Sequence, residues 1–88
     1  MDNINEARLL LNGIDEDMKR LFIKRMNIVK EIALYKKKNN LPIFDEKREN
    51  EMKERLCKDT KELQVYYLNF LDSILFQSKN YQKEIISL

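Results

Sequence analysis

Residues 4–38 read INEARLLLNGIDEDMKRLFIKRMNIVKEIALYKKK, and the spacing within this stretch decides the fold. Apolar side chains return in two heptad registers. One holds Ile4, Leu11, Met18, Arg25 and Ile32; the other, three residues on, holds Ala7, Ile14, Leu21, Ile28 and Tyr35. Side chains three and four apart share a helix face, so the two registers form the seam of one long amphipathic helix. From about residue 5 to about residue 38 this helix measures roughly 50 Å at ~1.5 Å per residue. The ~50 residues left over are too few to cover it as a compact monomer, so a partner chain is expected.

Outward from this stretch, the next signal is a break at Asn39-Asn40-Leu41-Pro42. Asparagine tolerates left-handed turns, and the residue before proline is pushed out of the helical region. Asp45 follows as a candidate N-cap, since its carboxylate can accept orphan backbone N–H groups, and Glu46 and Glu49 suit the positive end of the helix dipole. This second helix is predicted to run to about Cys57, with Met52 and Leu56 on one face. The periodicity lapses over Cys57-Lys58-Asp59-Thr60. It resumes with Leu63, Tyr67, Phe70, Leu71, Ile74, Ser78, Tyr81 and Ile85, which predicts a third helix from about residue 60 to about residue 86. The expectation is a single all-α domain over residues 1–88, with three helices in the order long, short, long.

Composition narrows the chemistry. The chain has 88 residues, 43% hydrophobic and 36% charged, with one glycine, one proline, one cysteine, no tryptophan and no histidine. Without histidine there is no Ser-His-Asp or Cys-His nucleophilic system and no histidine metal ligand. Gly13 alone cannot form a glycine-rich phosphate loop, and Cys57 alone gives neither an intrachain disulfide nor a cysteine zinc site. If the chain is an enzyme, its chemistry must run on Lys, Arg, Asp, Glu and neutral polar groups. The net charge of +2, from 17 basic and 15 acidic residues, gives little reason to expect a nucleic-acid partner. The N-terminal MDNINEARLL lacks a signal-peptide pattern, and no apolar run reaches the ~20 residues of a membrane span, so a cytoplasmic protein without membrane association is expected.

The informative positions are polar groups placed where the stripes call for apolar ones. Arg25 sits in the first seam between Met18 and Ile32, and Ser78 sits in the third-helix stripe. A guanidinium in a seam costs desolvation unless it is paired, so Arg25 either sets register within an assembly or meets a ligand. Lys36 lies 11 residues after Arg25. That separation is about three turns, so both side chains point the same way and can reach a small anion between them; the alternative is a solvated lysine in the run Lys36-Lys37-Lys38. Gln82, four residues after Ser78, shares its face or is simply exposed near the terminus. Arg48 and Glu49 open the second helix, where a surface pair is ordinary. Arg8 lies roughly 26 Å before Arg25 along one straight helix. The two can therefore clamp one small ligand only if Arg8 comes from another chain.

At these residues the sequence resembles the all-helical chorismate mutases. It has Arg8 ahead of Ile14-Asp15, then Arg25 and Lys36. It continues with Pro42-Ile43-Phe44-Asp45-Glu46-Lys47-Arg48-Glu49, and ends with Ser78-Lys79-Asn80-Tyr81-Gln82. No single motif is specific, but all occur in order and at the family's spacing. Met26 stands where members often carry a second arginine, and the link between the second and third helices is short.

The resemblance implies an intertwined homodimer, an isomerase converting chorismate to prephenate in aromatic amino acid biosynthesis, and no cofactor. It implies Lys36 and Gln82 as catalytic groups at the ether oxygen. Arg25, together with Arg8 from the partner chain, would meet the carboxylates. Glu49 would accept from the ring hydroxyl with help from the Asp45 backbone N–H, Ser78 would lie near the ring carboxylate, and Arg48 would hold Glu49 and the Asp45 loop. The alternatives are an isochorismate pyruvate lyase of the same fold, against which Glu49 counts, and a non-enzymatic helical dimer acting as an adaptor, which would have no use for this polar set.

Overall fold

The computed structural model describes residues 3–88, so the first two residues of MDNINEARLL lie outside what is described here. Three α-helices account for nearly all of it: α1 over Ile4–Asn39, α2 over Glu46–Leu56 and α3 over Gln64–Ser87. The order long, short, long is the one predicted.

The first helix is continuous for 36 residues. Asn3 caps it, accepting a hydrogen bond from the Glu6 backbone N–H at 2.9 Å. It stops where the sequence breaks: Asn40 takes the left-handed conformation at φ 53°. The Leu41 N–H then bonds back to the Lys36 carbonyl at 2.9 Å, closing a Schellman-type end. Lys36, Lys37 and Lys38 occupy the last turn, where cations favour the negative end of the helix dipole.

The N-cap of α2 is Asp45, whose Oδ1 accepts from the Arg48 backbone N–H at 3.0 Å. Cys57 is the C-cap of α2 rather than its last helical residue. The third helix begins at Gln64, about four residues later than its periodicity predicts. Asp59 and Lys61 both hold positive φ, at 63° and 53°, and α-helical geometry cannot continue through them. A 3₁₀ turn at Lys61–Leu63 bridges the gap.

The helices α1 and α3 pack along the C-terminal half of α1. Val29 and Ala33 are the α1 residues that bury, and Ala33 is completely inaccessible, which lets α3 approach closely. Met52, Cys57, Leu71 and Leu75 form the core between α2 and α3, with Leu56, Tyr67 and Leu68 packed against it. Burying a side chain such as Leu71 stabilises by about 1.5–3 kcal/mol. On α3 the buried face is Leu71, Leu75, Ser78, Gln82 and Ile85. Leu75 therefore takes the core position, while Leu63 and Phe70 from the predicted stripe are exposed.

Among the described residues, nothing buries the N-terminal half of α1. Leu11, Ile14, Met18 and Leu21 are each about half exposed, and Ile28 and Tyr35 are exposed further along. The radius of gyration is 16.3 Å, against about 12 Å for a compact domain of this length. No α-helix among the described residues is long and apolar enough to cross a membrane.

Candidate active site

The pocket is built where the three helices meet. From α1 come Arg25, Val29, Ile32 and Lys36; from the loop and α2 come Ile43, Asp45, Arg48, Glu49 and Met52; from α3 come Leu75, Ser78, Lys79 and Gln82. It encloses about 280 Å³. Val29, Ile32, Ile43, Met52 and Leu75 are its apolar residues, and the remaining side chains are polar or charged. Four cations face two carboxylates, so the pocket carries excess positive charge and suits an anion.

The helical spacing explains the convergence. Arg25 and Lys36 emerge on one side of α1, three turns apart, as their 11-residue separation requires. Ser78 and Gln82 are one turn apart on α3 and both are buried, at 4% and 7% exposure. The reading of Gln82 as an exposed residue near a terminus is thereby excluded. Among the described residues, Gln82 Oε1 is the buried side-chain oxygen or nitrogen without a hydrogen-bond partner. Such an atom is an acceptor, and its desolvation cost is relieved only by a hydrogen-bond donor.

Arg25 donates from Nη1 to Ser78 Oγ at 2.6 Å, tying α1 to α3, and Ser78 donates in turn to the Ile74 carbonyl at 2.8 Å. Burial lowers the Arg25 pKa, and the neighbouring positive charge of Arg48 lowers it further. A guanidinium nevertheless stays protonated at neutral pH. Desolvation and like charge thus make Arg25 a cation in want of an anion. Lys36 donates from Nζ to the Ile43 carbonyl at 2.8 Å, which pins the loop before α2 against the end of α1.

The structure brings Arg25, Lys36, Asp45, Arg48, Glu49, Ser78 and Gln82 to one pocket. Arg8 does not join them. It lies near the start of the same straight helix, roughly 26 Å along the axis from Arg25. Glu49 pairs with Lys79 at 3.2 Å, and the tie between Arg48 and the Asp45 loop runs through the Arg48 backbone N–H. Sequence reasoning missed Lys79 as a pocket residue. The only available signal was its place one residue after Ser78, at the flank of the buried face.

A three-helix chain with a cation-lined pocket between its helices defines a class of small all-helical proteins able to hold a compact anion. The family model described as chorismate mutase type II matches residues 8–83. The chain belongs to that family. It is also similar to a bifunctional chorismate mutase/prephenate dehydratase of Aquifex aeolicus (strain VF5), with 36% identity over 63 residues, or 72% of this chain. The chain spans 17% of the length of that relative. No solved structure matches the chain significantly.

Proposed function

We propose that the chain is a chorismate mutase, catalysing the intramolecular Claisen rearrangement of chorismate to prephenate. The observation that carries this reading is the pocket itself: Arg25, Lys36, Arg48, Glu49, Ser78 and Gln82, drawn from three helices, line one cavity of about 280 Å³ in a chain of this family. In the reaction an ether C–O bond breaks while a C–C bond forms within one molecule. No proton need be transferred and no nucleophile is used. The enzyme must hold a flexible dianion in a compact chair-like conformer and stabilise the negative charge that develops on the ether oxygen.

Each polar group then has a task. Arg25 offers a bidentate fork to one carboxylate, and its own burial is offset when that carboxylate arrives. Lys36 contacts a carboxylate and the ether oxygen. Gln82 donates its amide to the same oxygen. Ser78 sits by the ring carboxylate, and Glu49 accepts from the ring hydroxyl, which favours chorismate over isochorismate as the substrate. Asp45 and Arg48 hold the start of α2, and with it Glu49, in place.

Arg48 is committed to the start of α2 in this scheme, and Arg8 of the same chain lies too far away to meet the second carboxylate. Arg8 of a second copy meets that need in an intertwined homodimer. The uncovered stripe of Leu11, Ile14, Met18 and Leu21 supports such an assembly, as does the apolar groove that Leu21 and Phe22 form with Phe70 and Ile74.

The test is an assay of purified protein in buffer with chelator and no added cofactor. Loss of chorismate absorbance with prephenate as product is expected. Release of pyruvate without prephenate would instead assign a lyase, and no turnover would leave a binding protein.

A further inference from the structure

Lys79 belongs to no part of the scheme above, yet it is held firmly at the pocket. Its ammonium lies 3.2 Å from Glu49 Oε2 and 3.3 Å from Oε1, and 4.8 Å from the centre of the Phe44 ring. The Glu49 side chain is 13% exposed and that of Lys79 28%, so the pair is partly shielded from water and the attraction is stronger than at an open surface.

We propose that Lys79 is a positioning residue that aims Glu49 into the pocket and keeps it from the cations meant for the substrate. A carboxylate beside Arg25, Lys36 and Arg48 will pair with one of them unless another cation holds it. Such a pairing would compete with an anionic ligand for the same guanidinium or ammonium group. Lys79 prevents this by holding the carboxylate from α3, with the Phe44 ring face steadying the ammonium. A carboxylate accepts through about four lone-pair directions, so two contacts to Lys79 leave Glu49 free to accept from a hydroxyl. Lys79 also offsets the repulsion between Glu49 and a dianion. The inference rests on the chorismate reading of the pocket.

The experiment measures wild type, Lys79→Met, Lys79→Arg, Glu49→Gln and the Glu49→Gln/Lys79→Met double variant on chorismate. Wild-type turnover is required first, and its absence overturns the reading of the site itself. With wild type active, Lys79→Met is expected to lower kcat/KM about tenfold, chiefly through KM, because substrate and transition state both lose the aimed acceptor. Lys79→Arg restores most of the loss. In the Glu49→Gln background the Lys79→Met change adds little, since the residue it acts through is already neutral. An unchanged kcat/KM in Lys79→Met overturns the proposal. So do losses that multiply in the double variant, or a Lys79→Arg chain as impaired as Lys79→Met.

Discussion

Arg25 is where burial and chemistry oppose one another. Its charge is partly desolvated and faces Arg48, and both effects push its pKa down. Ser78 satisfies one donor at 2.6 Å but brings no negative charge. The side chain is therefore poorly matched to the isolated chain and well matched to an anionic substrate. Lys36 differs, since its ammonium already has the Ile43 carbonyl at 2.8 Å and is fixed against the loop before α2. If that ammonium meets the ether oxygen as charge develops there, Lys36→Ala should lower kcat by about 100-fold or more, the scale seen when one preorganised donor is removed. Steady-state kinetics separate the cases: a near-normal kcat with a raised KM would restrict Lys36 to substrate binding. Arg25, Lys36 and Ser78 were legible in the sequence because each breaks or extends a helical stripe. Lys79 was not, because a lysine beside a stripe looks like any solvated lysine until α2 is placed against it.

Among the α-helices, α2 is the shortest, and it depends on its ends. Asp45 accepts the Arg48 N–H at 3.0 Å, and the same turn carries Glu49 into the pocket. Asp45→Ala should cost about 1 kcal/mol of stability, and for a domain of this size that is a fall in Tm of about 4–8 °C. It should also raise KM, because Arg48 and Glu49 move with the turn. Asp45→Asn keeps the cap and should leave both near normal. Thermal melts and kinetics on the two variants check this.

A second ion pair between α2 and α3, besides Glu49 with Lys79, joins Lys53 to Asp72 at 2.6 Å. The hydrogen bond to Asp72 raises the Lys53 pKa, against a smaller opposing effect of burial. A lysine with a raised folded pKa stabilises fully below its unfolded value of about 10.4, and that stability is lost as the pH rises through the higher folded value. This pair should therefore add a constant amount between pH 6 and 9, under about 1 kcal/mol because both side chains remain open to solvent, Asp72 by more than half. Melting curves of wild type and Lys53→Met should differ by the same small interval across that range and converge in strong alkali. A gap that changes between pH 6 and 9 would contradict this.

At the scale of the whole molecule, the shape matters most. One chain measures 55 × 26 × 14 Å, and a 36-residue helix supplies its length. Half of that helix presents leucine, isoleucine and methionine to solvent, more than a stable monomer ordinarily leaves uncovered. If a second copy covers it and lends Arg8, mixing inactive Arg8→Ala chains with inactive Arg25→Ala chains should restore activity. Equal mixing gives heterodimers as half of all dimers, each with one intact site, so about a quarter of wild-type activity is expected. No recovery in demonstrated heterodimers would remove Arg8 from the partner's site. The all-helical class, the three helices, the turn at Asn40 and the cap at Asp45 were determined by the sequence alone, because periodicity and capping act within a few residues of chain. The late start of α3, the burial of Leu75 in place of Phe70 and the pairing of Glu49 with Lys79 were decided only by the tertiary structure. Each depends on which faces meet when helices far apart in sequence pack together, and no local spacing encodes that choice.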